Sequence, residues 1–434
     1  MSKPYRNAGL AAIFIILCIG AFFMANVPMP PWAHLASGLN IILFSIPTII
    51  AAVYWLGRRD AFVLFAVLGV FALTIETVAI STGFPYGHFS YSEMLGYRLF
   101  GKTPWTVMLA WTPLILAAFV IAEKLLSSLW LKIVAIALLL TAFDLVLDPG
   151  AVKLGFWEFS DGGWYYAVPW SNFAGWVFSG LIGAGILHFI LGRIGPLLPA
   201  PVQMIHSGFL TLFFWTAFAA FSSMLIPVLV GLISLILMIV VYRAHYYSFD
   251  DMVVLVDEQN KPIATAPKLP IHSDETPLHR AFSVFLFNRS GQLLLQRRAE
   301  HKKTWGGIWS NSCCGHLMLH ESVLSAAKRR LKYELGMNGI DLEVVLPEYR
   351  YRAEKDGIVE NELCPVLVGF TNADPELNPD EVADFRWVDW MDFVDQVSEP
   401  ENAFSPWAIE ETMLLEQSSE FRDLYQENTS IRDV

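Results

Sequence analysis

The chain has 434 residues, a length that indicates two to four domains, and its net charge of −12 is spread unevenly. Residues 1–243 contain eleven Lys and Arg against eight Asp and Glu, whereas residues 244–434 contain 18 against 33. The strongly acidic second half argues against nucleic acid as a partner, and four cysteines without zinc-site spacing indicate a reducing compartment.

Residues 1–243 predict a polytopic α-helical membrane domain of about eight spans. The first apolar run lacks a clean signal-peptide cleavage site, so we expect it to be a membrane helix. Because a span needs roughly 20 residues, the final run is long enough for two helices. Ser222, Ser223 and Pro227 predict a turn within it. The runs lie at about 1–25, 34–56, 61–81, 104–122, 129–147, 171–191 and 204–242.

The basic residues between these runs predict the orientation of the domain. By the positive-inside rule, the side richer in Lys and Arg is cytoplasmic. Eight spans then place both termini and the second half of the chain in the cytoplasm of a multi-pass cytoplasmic-membrane protein. Seven spans would place the second half outside, against the charge at Arg243. One side carries Lys3, Arg6, Arg58, Arg59, Lys124, Lys132, Arg193 and Arg243, and the other carries Arg98, Lys102 and Lys153.

Three carboxylates within the predicted spans are candidate functional residues. Glu76 lies in the third span, and Asp144 and Asp148 lie at the end of the fifth. Carboxylates at membrane depth are costly and mark functional sites, although polar side chains can also hold helices together. The eight-span topology gathers all three toward the non-cytoplasmic side, among aromatic residues that suit interfacial anchoring.

The segments around these carboxylates resemble a known family. ETVAISTGFPYGHFSY and AFDLVLDPG, followed by GFWEF and VPWSNFAGW, resemble the integral-membrane carotenoid biosynthesis family that includes carotenoid 1,2-hydratases and bacterioruberin-type hydratases. The resemblance implies a carotenoid in the bilayer as substrate. An acid would protonate the alkene at its acyclic end and water would capture the tertiary cation, without a redox cofactor. Glu76, Asp144 and Asp148 are the candidate proton donors, because a buried carboxylic acid suits that step.

Residues 244–251 are predicted as a linker, and residues 252–434 as a soluble α+β domain. MVVLVD, SVFLFN and QLLLQRR are short apolar runs separated by turn residues, a pattern typical of strands. We also expect a helix over about 322–335, later strands near 349–352, 364–370 and 384–388, and a C-terminal helix from about Pro406.

The stretch SNSCCGHLMLHESVLSAAKRRLKYELG, at 310–336, predicts a thiol-bearing loop that leads into an amphipathic helix. Its spacing resembles a Nudix box, which holds diphosphates through divalent metal, at Gly315, Glu321, Arg329, Glu334 and Gly336. Arg330 and Tyr333 stand where the box has glutamates, and Cys314 and His316 flank the first glycine. A Nudix-like domain that binds a diphosphate without hydrolysing it is therefore predicted.

Three groups of residues in the second half of the chain suit metal binding, diphosphate binding and proton transfer. Imidazoles and carboxylates suit a divalent ion such as Mg²⁺, Mn²⁺ or Zn²⁺. The candidate ligands are His272 and His279 on an early loop, His316, Glu360 and Glu362. Glu360 and Glu362 would share one face of a strand.

Basic side chains suit a diphosphate, although ordinary surface charge is the alternative. They are Lys268, Arg298, Lys302 and Arg330.

A thiol and a carboxylate on opposite sides of an alkene can add one proton and remove another, while an aromatic face stabilises the cation. The candidates are Cys314, Glu362, Tyr351 and Trp407.

LHRAFSVFLFN, WSNSCCGH, RRLKYELG, YRYRAEKDGIVENELCPV and FSPW resemble type I isopentenyl-diphosphate delta-isomerase, from about 252 to 417. The resemblance implies interconversion of isopentenyl and dimethylallyl diphosphate, with Mg²⁺ and a second divalent metal (Mg²⁺, Mn²⁺ or Zn²⁺) as cofactors. The resemblance assigns metal binding, diphosphate binding and proton transfer to the three groups of residues given above. It also implies that Glu334 helps to hold Mg²⁺ through the diphosphate and that Tyr351 assists Glu362.

The sequence as a whole predicts a bifunctional enzyme of isoprenoid and carotenoid biosynthesis. Two alternatives stay open. The second half could be a Nudix hydrolase that cleaves the diphosphate, which the replacements at Arg330 and Tyr333 argue against. The membrane half could be a non-catalytic anchor that holds the isomerase near prenyl transferases.

Overall fold

The computed structural model describes residues 3–28, 33–399 and 403–429 of the chain. The side chains of Lys3 and Arg6, on which the predicted orientation partly rests, lie outside the described residues. The chain divides into two compact units, Met1–Tyr247 and Ser248–Val434, with the boundary inside the segment predicted as a linker.

The first unit is helical, because its sequence consists of long apolar runs that satisfy their own backbone hydrogen bonds as helices. Small two- and three-residue strands interrupt the helices; β1 pairs antiparallel with β4, and β2 with β3. In chain order the elements are α1 (Lys3–Asn26), α2 (Ala33–Thr82), β1 (Phe89–Tyr91), β2 (Arg98–Leu99), β3 (Thr103–Pro104), α3 (Val107–Leu125), α4 (Leu129–Lys153), β4 (Trp157–Phe159), α5 (Trp170–Ile194), α6 (Ile205–Phe221) and α7 (Leu225–His245).

By length and composition, six helices of the described chain are suited to crossing a membrane: α2 to α7, with α2 counted from Ser37 and α6 from Val202. A shorter apolar stretch, Ala11–Asn26, belongs to α1. The predicted count of eight is therefore not confirmed. Within α2, Gly57 has non-helical backbone angles with φ of 79°, a conformation that favours glycine, and the helix kinks there.

The turn predicted within the last apolar run is present, with one correction. Helix α6 ends at Phe221 and α7 begins at Leu225, so residues 222–224 form the turn and Ser223 takes a positive φ of 58°. Pro227 instead lies in the first turn of α7, where proline removes no helical hydrogen bond. Helix α6 packs against α1, α2, α3, α4 and α7.

The second unit is an α+β fold, as predicted, with an eleven-stranded sheet in its described part. Its elements are β5 (Met252–Val256), β6 (Pro262–Pro267), α8 (Lys268–Ile271), β7 (His279–Phe287), β8 (Gln292–Arg298), β9 (Trp309–Ser310), β10 (Cys313–His316), α9 (Val323–Leu335), β11 (Leu342–Leu346), β12 (Arg350–Lys355), β13 (Ile358–Leu363), β14 (Val366–Phe370), β15 (Val382–Asp389), α10 (Trp390–Ser398), α11 (Pro406–Gln417) and α12 (Ser419–Asn428).

Strand β7 is the centre of this sheet. It pairs in parallel with β13 and β14 and antiparallel with β5, β8 and β10. Its alternate residues enter two separate cores. Phe282 and Val284 pack with α9, whereas Phe285 and Phe287 pack with the C-terminal helices. The sheet is thus covered by helices on both faces.

Two predicted loops are strands. His279 is the first residue of β7, and Cys313–His316 form β10, which pairs with β7 from Val284 to Ala281. These residues lack the long apolar alternation of a strand, and their extended conformation depends on pairing with a distant segment. The helix predicted at 322–335 is present as α9, and the helix predicted from Pro406 is α11.

Candidate active sites

Four side chains of the second unit, three of them buried and His316 partly buried, bring their ligand atoms within 4.8 Å of one another: His272, His279, His316 and Glu362. The Nε2 atoms of His279 and His316 are 3.2 Å apart. Oε1 of Glu362 is 3.0 Å from the Nε2 of His316 and 3.4 Å from that of His279. Two imidazole nitrogens and a carboxylate oxygen therefore converge on one point.

Backbone carbonyls orient two of these imidazoles. The Nδ1 of His272 is 2.6 Å from the carbonyl oxygen of Lys268, and the Nδ1 of His279 is 2.9 Å from that of Pro277. Each contact leaves the Nε2 of the ring available, the arrangement that metal-binding histidines use. Three nitrogens and one oxygen suit a divalent ion, so the residues fit the predicted metal site.

Glu360, predicted as a fifth ligand, lies beside this group and not within it. The hydroxyl of Tyr351 is 2.8 Å from Oε2 of Glu360 and 2.9 Å from Oε2 of Glu362. Tyr351 and Glu362 are partners across β12 and β13, and Glu360 lies two residues along on the same face, as predicted. Tyr351 thus links the two carboxylates.

The two carboxylates differ in their affinity for a proton. Burial by itself would raise the pKa of Glu362, but hydrogen bonds from His279 and His316 hold that pKa well below its usual range. Burial and the neighbouring charge of Glu362 raise the pKa of Glu360. Glu362 is therefore a carboxylate at neutral pH and can accept a proton.

The thiol of Cys314 is held in its protonated form. Cys314 faces Ser283 across β10 and β7, and its Sγ donates to Oδ1 of Asn311 at 3.1 Å. Burial and the nearby carboxyl of Glu411 raise the pKa of Cys314 to about 12. A thiol of this kind is a proton donor and a poor nucleophile at neutral pH.

Trp407 is fixed beside the thiol. Its indole N–H lies 3.0 Å from Oγ of Ser310 and 3.2 Å from Oδ1 of Asn311. Its ring packs on Tyr351, with ring centroids 5.7 Å apart. The guanidinium of Arg298 lies 5.7 Å from the ring centroid of Trp407. The aromatic face is therefore held in a fixed orientation.

The four predicted cationic residues line one cavity of about 520 Å³ together with Cys314, Tyr351, Glu360, Glu362 and Trp407. Two of them share a partner that sequence reasoning missed: Glu381 lies 2.5 Å from Nζ of Lys302 and 3.1 Å from Nη2 of Arg330. Burial and the charge of Arg330 lower the pKa of Lys268 to about 8. The four cationic residues are therefore not isolated surface charges, because all of them line the same cavity.

The Nudix-box residues build the connection between β10 and α9. Arg329 donates to both carboxylate oxygens of Glu321, at 2.9 and 2.8 Å, and to the carbonyl oxygen of His316 at 3.1 Å. A Cβ on Gly315 would lie 3.1 Å from Cγ of Arg330 and 3.1 Å from Cζ of Phe282, so the helix and the strand approach each other closely at this glycine. Glu334 is buried and paired with Arg330, and the structure does not bring it to the histidines.

The first unit, called the membrane unit below because six of its described helices are suited to crossing a membrane, gathers its three predicted carboxylates around a second cavity of about 600 Å³. Nδ2 of Asn172 lies 2.8 Å from Oδ2 of Asp144 and 2.5 Å from Oδ2 of Asp148. The hydroxyl of Tyr91 donates to Oε2 of Glu76 at 3.0 Å. Asn172 and Tyr91 lie in the segments that the sequence singled out, but nothing in the sequence pairs them with these carboxylates.

Two family models match the chain. The first is described as "Carotenoid biosynthesis protein" and matches residues 37–238; the second is described as "NUDIX domain" and matches residues 277–408. The chain thus joins a carotenoid biosynthesis domain to a Nudix domain.

Curated relatives show more closely which family the Nudix domain belongs to. The isopentenyl-diphosphate Delta-isomerase of Frankia alni is 44% identical over 171 residues, which are 39% of this chain and 88% of the relative. That of Mycolicibacterium vanbaalenii is 47% identical over 167 residues, 38% of this chain and 92% of the relative. That of Escherichia coli is 46% identical over 158 residues, 36% of this chain and 87% of the relative. Through its second unit the chain belongs to the isopentenyl-diphosphate Delta-isomerase family, which confirms the predicted resemblance.

Proposed function

We propose that residues 252–434 interconvert isopentenyl and dimethylallyl diphosphate by protonation and deprotonation. The observation that carries this proposal is one cavity lined by both the thiol of Cys314 and the carboxyl group of Glu362. Burial raises the pKa of the thiol, and hydrogen bonds from two histidines lower that of the carboxyl group. An acid and a base with different affinities for a proton, in one site, are what an alkene transposition requires.

The proton transfers are assigned to named atoms. The thiol of Cys314 gives its proton to the terminal methylene carbon, and the electrons of the double bond form the new C–H bond. The resulting tertiary cation faces Trp407, whose ring stabilises positive charge. Glu362, assisted by Tyr351, removes a proton from the carbon next to the cation, and the electrons of that C–H bond form the new double bond. Proton exchange with water then restores the thiol and the carboxylate.

The metal and diphosphate contacts follow from the same cavity. His272, His279, His316, Glu362 and the adjacent Glu360 would hold a divalent ion (Mg²⁺, Mn²⁺ or Zn²⁺), and Glu334 would help to hold Mg²⁺ through the diphosphate. When bound, these ions would neutralise the charge of the diphosphate and fix its position. Lys268, Arg298, Lys302 and Arg330 would contact the diphosphate oxygens directly.

The test uses residues 251–434 as a soluble protein, since this unit is compact and matches nearly the full length of its relatives. We expect isopentenyl diphosphate and Mg²⁺ in deuterated water to give dimethylallyl diphosphate that carries deuterium. Cys314→Ala should abolish the conversion, because the proton donor is lost. Release of phosphate or pyrophosphate instead would show a Nudix hydrolase and overturn the isomerase assignment.

The membrane unit is proposed to hydrate the acyclic end of a carotenoid held in the bilayer. Its match to a carotenoid biosynthesis family and the three buried carboxylates at one cavity support this. Glu76→Ala or Asp144→Ala should then accumulate the unhydrated precursor in cells. A non-catalytic anchor that holds the isomerase near prenyl transferases would leave the carotenoid profile unchanged.

We propose that this unit crosses the membrane eight times, with both termini cytoplasmic. A helix rises 1.5 Å per residue, so the 50 residues of α2 are more than twice the roughly 20 residues that span a bilayer. The kink at Gly57 lies between the two apolar runs at 34–56 and 61–81, next to Arg58 and Arg59. Two spans from α2, one from α1 and one from each later helix give eight. Thiol-reactive labelling of a single cysteine introduced at Arg59 and another at Phe100 tests the orientation: only the second should react from outside intact cells.

A further inference from the structure

The cavity of the membrane unit contains two separate hydrogen-bonded groups. Its walls are mostly apolar and include the aromatic side chains of Phe89, Trp111, Trp176 and Phe214. Its volume, about 600 Å³, is within the range of sites for small organic ligands. The apolar end group of a carotenoid fits such walls. The two hydrogen-bonded groups are then the parts of the cavity that can transfer protons.

The first group is the aspartate pair, Asp144 and Asp148 of α4 with Asn172 of α5. Both aspartates are buried, with 2% and 4% of their surface exposed, and one amide nitrogen donates to both. No lysine or arginine forms an ion pair with either in the part of the chain that the structure describes. Two carboxylates this close cannot both be charged in a medium of low dielectric constant, so the pair retains a shared proton.

The second group is Glu76 of α2 with Tyr91 of β1. Glu76 is 6% exposed, and the Tyr91 hydroxyl donates to one of its two oxygens. The other oxygen has no hydrogen-bond partner among the described residues, although Glu76 lines the cavity. A carboxylate that lines the cavity, with one oxygen held by a donor and the other without a described partner, is suited to accept a hydrogen bond from a water molecule.

We propose that these two groups divide the acid and the base of the hydration, an inference that rests on the proposed function of the membrane unit. The aspartate pair gives its shared proton to the terminal alkene of the carotenoid, and the π electrons form the new C–H bond. Water held by Glu76 adds to the tertiary cation through an oxygen lone pair and passes one proton to the carboxylate. Proton exchange with water returns that proton to the aspartate pair, so that the net change is the addition of one water molecule.

The two roles predict different defects in the full-length protein. The protein is solubilised in detergent and supplied with lycopene, an acyclic carotene, in deuterated water. Glu76→Gln should lower hydration by about 100-fold or more while deuterium still enters the recovered lycopene, because the cation forms and loses a proton again. Asp144→Asn and Asp148→Asn should lower both hydration and deuterium entry, because the cation no longer forms.

The matched control is Glu158→Gln, which makes the same carboxylate-to-amide change on β4 at an exposed side chain between two cavity-lining aromatic residues. It should hydrate like the unaltered protein. Lycopene that co-elutes with a variant shows that its cavity is intact, so that a loss of reaction is not a loss of fold.

The outcomes separate this division of roles from the proposed function itself. An unaltered protein that binds lycopene but neither hydrates it nor exchanges its protons would overturn the hydratase function and this inference with it. If the unaltered protein hydrates lycopene and Glu76→Gln loses deuterium entry as well, the assignment of Glu76 as base is wrong and the hydratase function stands. Full hydration by Asp144→Asn and Asp148→Asn would likewise exclude the aspartate pair as the acid.

Discussion

At the scale of single residues, the site of the second unit consists of hydroxyl, carboxylate and thiol groups whose hydrogen-bond partners are fixed. Tyr351 contacts two carboxylates with one hydroxyl, whereas Tyr349, stacked beside it at 5.9 Å between ring centroids, donates to Glu410. The pair offers two buried tyrosines of the same shape with different partners.

Tyr351→Phe should lower kcat of the isomerase by about 10- to 100-fold, because Glu362 loses the hydroxyl that orients it. The KM should change by less than about threefold, since Tyr351 is not among the residues proposed to bind the diphosphate. Steady-state kinetics of residues 251–434 measure both constants. Tyr349→Phe is the control and should keep kcat; an equal loss in both variants would mean that Tyr351 acts only through packing.

The sequence predicted most residues of the soluble site but few of their supporting contacts. Cys314, Glu362 and the histidines lie in short motifs whose residue types suit the chemistry. Cys314, Glu362, His272 and His316 line one cavity, and His279 lies behind it within the same group of ligand atoms. Glu381 and Asn311 are ordinary polar residues locally. Their importance depends on partners that are distant in sequence, such as Ser283 for Asn311, and no local pattern contains that information.

At the scale of elements, Glu381 connects the start of β15 to α9 and to the segment before β9. Burial by itself would raise its pKa, but the charges of Arg330 and Lys302 lower the pKa of Glu381 to about 2. A lowered pKa means that the stabilisation is complete above the pKa of the unfolded chain, about 4.5, and is lost as the pH falls through about 2.

Glu381→Gln should therefore reduce the free energy of unfolding of the soluble unit by on the order of 2 kcal/mol near neutral pH. The difference from the unaltered protein should fall to about half at roughly pH 3, where Glu381 is partly through its titration window. Urea denaturation at both pH values measures the difference. Glu343→Gln, at an exposed site on β11, should change little, and a difference that does not shrink with pH would contradict the ion-pair explanation.

The kink in α2 gives a second prediction at this scale. Gly57→Ala should destabilise the full-length protein by about 1 kcal/mol or more, because a side chain is strained at a φ of 79°. Gly38→Ala, in the same helix with no atom within 4 Å of the new Cβ, should be neutral or stabilising. Thermal unfolding in detergent compares them. Equal unfolding temperatures would show that the break in α2 does not depend on glycine.

The helices of both units were predictable because long apolar runs and amphipathic spacing are local signals. The strands β10 and the start of β7 were not, because they become extended only by pairing with distant segments: Cys-Cys-Gly-His with β7, and His279 with Leu255 of β5 and Glu362 of β13. The division of α2 was anticipated by its two apolar runs, although the helix remains continuous apart from Gly57.

At the scale of the whole molecule, each of the two compact units has its own cavity lined by buried carboxylates, and the functions proposed for both begin with the protonation of an isoprenoid alkene. The contacts of each set lie within its own unit. We therefore expect Cys314→Ala in the full-length protein to lose isomerase activity and to hydrate lycopene normally. Asp144→Asn should do the reverse. Both activities are measured on the same detergent preparation, and a simultaneous loss in either variant would show that the two sites are coupled.

The pairing of β10 with β7 has a consequence for the choice of thiol. Cys313 and Cys314 are chemically identical neighbours, yet Cys313 packs in the core beneath α9 while Cys314 faces the cavity with Trp407. Adjacent strand residues point to opposite faces, so a shift of the pairing by a single position would exchange the two. The position of each cysteine along the strand, odd or even, therefore determines which sulfur faces the substrate cavity. One residue inserted between Asn311 and Cys313 would place Cys313 in the cavity instead of Cys314.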